Sequence, residues 1–68
     1  MTKIKIKING NEIELENVST IMEMLEARKV TGDMFVVEKN LEIIPKDKYD
    51  TKIENNDVIE IVGFFGGG

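Results

Sequence analysis

The sequence predicts an α+β fold in which a mixed sheet of four to five strands wraps a single helix. Three observations predict it. Two strictly alternating runs flank an Asn-Gly pair near the start of the chain, and one amphipathic helical stretch follows them. The later apolar segments then read as strands, the last of them apolar enough to lie with neighbours on both sides.

The first run is Lys3-Ile4-Lys5-Ile6-Lys7-Ile8 and the second Glu12-Ile13-Glu14-Leu15-Glu16. Asn9-Gly10 between them supplies the two positive-φ residues of a type I′ turn. With that turn, Ile6 faces Ile13 and Ile4 faces Leu15 on one side, while Lys7, Lys5 and Lys3 face Glu12, Glu14 and Glu16 on the other. A single register therefore suits both faces. The lysine stripe reads as a solvated face, because opposed carboxylates neutralise it.

The helix begins at Ser19-Thr20, where Thr20 and Glu23 have the spacing of a capping box. Ile21, Met24 and Leu25 form its apolar stripe, Glu23 and Glu26 point outward, and Arg28 in the stripe predicts an end near Lys29. Met22 and Met24 read as core filler. Thr31-Gly32-Asp33 turns the chain into a strand over Met34–Glu38, Lys39-Asn40 closes it, and Leu41–Ile44 runs back until Pro45. Lys46–Thr51 is too short for a regular helix, so Tyr49 and Ile53 are expected in a 3₁₀ turn or a satellite cluster. Asn55-Asn56-Asp57 turns into the last strand, Val58–Val62.

This order of elements, with the first and last strands adjacent and parallel, is that of the ubiquitin-like β-grasp. Ile4, Ile6, Ile13, Leu15, Ile21, Leu25, Ile59 and Ile61 are its expected core. Val58, Glu60, Val62 and Phe64 then face outward, with Phe65 beside them, as a candidate docking face for a partner.

Composition limits the function. The 68 residues form one domain, with no cysteine for a disulfide and no histidine or cysteine for a structural metal. Thirteen acids against nine bases give a net charge of −4, which repels phosphate backbones and disfavours nucleic acid. No apolar run approaches the roughly 20 residues of a membrane span, and no signal-peptide pattern opens the chain, so a cytoplasmic protein is expected. Asp47 and Asp50 lie on a polar loop and read as solvated. The glycines at 63 and 66–68 precede no helix and so form no phosphate-cradling loop.

Residues 1–65 are expected to form the domain and 66–68 a flexible tail, since Gly66, Gly67 and Gly68 have no side chain with which to pack. Such a tail can pass a channel too narrow for a Cβ and offer its carboxylate to a partner's active site.

The segment Val37–Lys46, Tyr49, Asn56-Asp57-Val58-Ile59-Glu60-Ile61-Val62 and the Phe-Gly-Gly-Gly ending resemble the thiamine-biosynthesis sulfur carriers of the ThiS family across nearly the whole chain. The resemblance implies a protein cosubstrate, not an enzyme, with no cofactor of its own. A ubiquitin-activating-enzyme-like adenylyltransferase would use ATP to join AMP to the Gly68 carboxylate. Sulfur relayed from a cysteine desulfurase would convert it to a thiocarboxylate, and thiazole synthase would take that sulfur. Asn56 stands where related sequences often carry Gly, a mild change because Asn tolerates φ > 0. The molybdopterin-synthase small subunit shares the fold and ending and is the alternative carrier. A β-grasp interaction module with an inert tail is the alternative from another class.

Overall fold

The computed structural model describes residues 3–32 and 34–63. Five strands, β1 (Lys3–Ile8), β2 (Asn11–Glu16), β3 (Phe35–Lys39), β4 (Glu42–Ile44) and β5 (Val58–Gly63), accompany one helix, α1 (Ile21–Ala27). They form a single sheet in the order β2-β1-β5-β3-β4, in which β1 and β5 run parallel and the other neighbours antiparallel. The fold is the expected mixed sheet around one helix, with five strands.

The hairpin has the anticipated register at every pair, from Lys3 opposite Glu16 to Ile8 opposite Asn11. Asn9 and Gly10 take φ values of 50° and 85°, which only residues at ease in the left-handed region sustain cheaply. The β3–β4 connection uses the same two-residue geometry with a worse residue: Asn40 has φ 52° and Leu41 φ 73°. Leu41 is thus a turn residue and not the start of β4, and it is 88% exposed. A leucine there carries the left-handed penalty of about 1–2 kcal/mol without any packing to offset it. Leu41→Gly, which recreates the Asn-Gly pair, is expected to raise stability by about 1 kcal/mol and the melting temperature by about 4–8 °C in a calorimetric scan.

The helix ends two residues before Lys29. Arg28 caps it, Lys29 turns left-handed at φ 59°, and the Lys29 and Val30 amides donate to the Glu26 and Leu25 carbonyls. These are the two bonds of a Schellman motif, here with lysine in place of glycine. At the other end every early amide has an acceptor. Ile21 N–H donates to the Thr51 carbonyl, Met22 N–H to Tyr49, Glu23 N–H to the Thr20 hydroxyl and Met24 N–H to the Thr20 carbonyl.

Those bonds explain a correction to the expected core. The 46–53 excursion, with its 3₁₀ turn at Lys46–Lys48, is tied to the helix start, so Tyr49 and Ile53 are buried in the main core and form no satellite. Ile6, Leu15, Ile21, Leu25, Ile59 and Ile61 are buried as read, while Ile4 and Ile13 lie half-buried at its margin. Ile8, Val18, Met24 and Val37 complete it.

Glu23 closes the capping box one residue earlier than expected, accepting from the Ser19 amide at 2.7 Å and the Ser19 hydroxyl at 3.0 Å. The Ser19 backbone hydrogen bond, followed by its hydroxyl, holds the Glu23 carboxyl below its ordinary value of 4.5. A carboxylate with a depressed folded-state pKa contributes stability above its unfolded pKa and loses it as pH falls through the folded one. Melts of the parent and Glu23→Gln should therefore differ near neutrality and converge as pH drops below about 4.5.

Candidate functional site

The site is the end of β5 and the outer sheet face beside it. β5 is central because its alternation buries Ile59 and Ile61 against the helix side, leaving Val58, Glu60 and Val62 on the outer side. Parallel pairing with β1 ends at Ile8 opposite Ile59. Asn9 then extends the ladder with its side chain: its Oδ1 accepts from the Ile61 amide at 2.8 Å, and its Nδ2 donates to the Ile61 carbonyl at 3.1 Å. The left-handed turn at Asn9 thus also holds β5 at Ile61.

On the other side β3 pairs with β5 from Lys39 opposite Ile59 to Phe35 opposite Gly63. Gly63 passes so close to β3 that a Cβ there would overlap the Met34 carbonyl oxygen and stand 2.7 Å from the Phe35 Cβ. Glycine is thus required here by close approach. β5 is thus held on one flank by Asn9 at Ile61 and on the other by Phe35 at Gly63.

The start of β5 is pinned as well. Asp57, 9% exposed, accepts from Asn40 Nδ2 at 3.0 Å and from the Glu54 amide at 2.8 Å, with Lys39 Nζ 3.8 Å away. Asn40 in turn exchanges hydrogen bonds with the Val58 backbone through its own amide and its Oδ1. Asn56 has φ 74°, the left-handed conformation its place in the turn demands.

The outer face divides into two halves. Over β2 and β1 it presents the opposed glutamates and lysines of the hairpin. Over β5, β3 and β4 it is apolar: Val36 pairs with Val62, and Val58, Ile43 and Val62 are exposed, Val62 at 61% and Ile43 at 65%. Within this half Glu38 stands directly opposite Glu60 and beside Ile43.

Sequence reasoning placed Val58, Glu60 and Val62 on this face, and Phe64, Phe65, Gly66, Gly67 and Gly68 lie outside the described residues. It missed Val36, Glu38 and Ile43. The available signal was Asn40-Leu41: a two-residue turn there makes Lys39 face Glu42 and Glu38 face Ile43.

Chemically this is a surface that presents a strand end. Asp47 and Asp50 are both exposed, and among the described residues no group of three histidine, cysteine or carboxylate side chains could hold a metal ion. No helix among them is long and apolar enough to cross a membrane.

Residues 5–68 match the model of the ThiS family, which covers the whole face and the glycine ending. The chain belongs to the ThiS family. It is 35% identical over 65 residues to the sulfur carrier protein ThiS of Bacillus subtilis strain 168, covering 93% of this chain and 98% of that protein. It is also 38% identical over 66 residues to a thiazole synthase of Paramagnetospirillum magneticum strain ATCC 700264 / AMB-1; this covers 96% of this chain but only 20% of that protein. The crystal structure of the thiamine biosynthesis protein ThiS from Geobacter metallireducens superposes with a TM-score of 0.78 at 28% identity, covering 96% of this chain and all of that one. As a ThiS-family β-grasp protein, the chain is a small carrier and not an enzyme.

Proposed function

We propose that this chain carries sulfur for thiazole formation in thiamine biosynthesis, with Gly68 as the loaded residue. The observation that carries the reading is the match to the Bacillus subtilis sulfur carrier over 98% of that protein's length. The thiazole synthase in which a like segment makes up 20% of the chain supports the thiazole branch, because a segment similar to this chain there shares one polypeptide with a protein named for thiazole synthesis.

The chemistry follows from what a carboxylate lacks. Its oxygen is a poor leaving group, so an adenylyltransferase partner transfers AMP from ATP to the Gly68 carboxylate and releases pyrophosphate. A persulfide, supplied by a cysteine desulfurase relay, then attacks the acyl carbon and expels AMP. Cleavage of the resulting acyl disulfide by a thiol frees the thiocarboxylate. Gly66 and Gly67 give the end group a Cβ-free approach, and the 1–65 body stays outside the active site. ATP is bound by the partner. On this reading the protein works in the cytoplasm, and the outer face of Val58, Glu60 and Val62, with Phe64 and Phe65, meets its partners.

The branch is tested by offering the thiocarboxylated protein to a thiazole synthase and to a molybdopterin-synthase large subunit. Sulfur release with the first alone is expected. Release with the second alone would move the chain to the molybdopterin pathway, and a protein that cannot be loaded at all would be the inert module.

A further inference from the structure

We propose that the outer face of β5, β3 and β4 selects a partner that inserts an arginine guanidinium between Glu38 and Glu60, inside a rim formed by Val36, Ile43, Val58 and Val62. This rests on the reading of that face as the docking surface and names the chemistry it recognises.

The argument starts from a pairing that the isolated fold disfavours. Glu38 and Glu60 are directly opposed, which sets their Cβ atoms about 5 Å apart, and like charges so placed repel. Neither has an ion-pair partner among the described residues, where Lys39 bridges Asp57 instead. The nearest β1 lysine on this face, Lys7, stands opposite Val58, one step along β5 from Glu60, and forms no ion pair with it. Both glutamates are half-buried among exposed apolar side chains, so a cation seated between them meets two partly desolvated carboxylates.

A guanidinium suits that seat better than an ammonium ion. Its planar fork can donate to two carboxylates at once, and its weak hydration tolerates the valine and isoleucine rim. A second copy of this chain does not suit it: an isologous contact through this face would bring two such acid pairs together. The overall charge of −4 favours approach of a basic surface over the same range.

The test compares the parent chain with Glu38→Gln/Glu60→Gln in two assays against a purified activating adenylyltransferase: binding by titration calorimetry without ATP, and carrier-dependent ATP–pyrophosphate exchange. The double variant is expected to raise both Kd and KM about tenfold at low salt, with kcat within about twofold and the difference shrinking as salt rises. Its melting temperature should rise, because the repulsion is gone. Glu14→Gln, on the β2 half of the face, should leave Kd and KM unchanged. Equal affinity for the parent and the double variant, or equal loss with Glu14→Gln, overturns the inference, as does failure of the parent to bind. Binding without exchange, but with the tenfold loss in the variant, would sustain the inference while removing the carrier function.

Discussion

Gly68→Ala is expected to cut loading of the C-terminal carboxylate by on the order of a hundredfold while leaving the melting temperature unchanged. The two readouts separate because Gly68 lies beyond β5, the last element of the sheet, and five residues after Gly63. The variant keeps a terminal carboxylate, so the chemistry of adenylation remains available in principle. On the proposed reading what changes is reach: a methyl group on the last residue would displace the acyl carbon in a partner channel that admits only bare backbone, and misplacement by about 1 Å is enough for a loss of that size. Pyrophosphate exchange with saturating carrier and a thermal melt of the same preparation check both halves. A variant loaded at the parent rate would show that the end group does not enter a confined site.

Gly63→Ala is expected to destabilise the fold by about 3 kcal/mol, at the upper end of typical overpacking costs. The added methyl has no free direction: it meets the Met34 carbonyl oxygen and the backbone of Phe35, not the tip of a flexible side chain. Relief requires β5 and β3 to part at the Phe35–Gly63 pair, which also disturbs Phe35 and its stacked contact with Tyr49, whose ring centroid is 6.5 Å away. A small domain has little stability to lose, so a calorimetric scan should show a drop well beyond 10 °C. Loading should fall with it, since the tail would leave the sheet from a displaced strand end. An unperturbed melting temperature would mean that β3 and β5 are not held as closely as the structure places them.

Some of the fold is written locally and some is not. The hairpin register was legible because Asn9-Gly10 specifies the turn and the isoleucine and lysine stripes agree on one alignment. The helix start was legible because Thr20 and Glu23 sit at capping distance in sequence. The β3–β4 turn was legible only in part: Asn40 marks it, but Leu41, a residue that left-handed geometry disfavours, reads as the start of the next strand. The 3₁₀ turn that ends at Tyr49 was legible, but the place of Tyr49 and Ile53 in the main core was not. Their burial follows from the acceptor carbonyls of Tyr49 and Thr51 meeting the amides of Met22 and Ile21, a contact between segments about 30 residues apart.

The site divides in the same way. Period-two alternation in Val58–Val62 was enough to put Ile59 and Ile61 inside and Val58, Glu60 and Val62 outside. It could not bring Glu38 to Glu60 or Val36 to Val62, because that juxtaposition is set by how β3 pairs with a strand that follows it by some 20 residues. The supports of the strand end were equally hidden. Asn9 was read for its φ, whereas its amide group also pairs with Ile61, and Gly63 was read as part of a glycine-rich ending, whereas it is the point of closest approach between two strands.

Intact-mass spectrometry tests the central claim most directly. The protein is incubated with the adenylyltransferase, ATP and a persulfide source, and then fragmented to locate any change. The account predicts a gain of about 16 Da, the exchange of one oxygen for one sulfur, confined to Gly68. An unchanged mass, or a sulfur adduct anywhere other than Gly68, would contradict it.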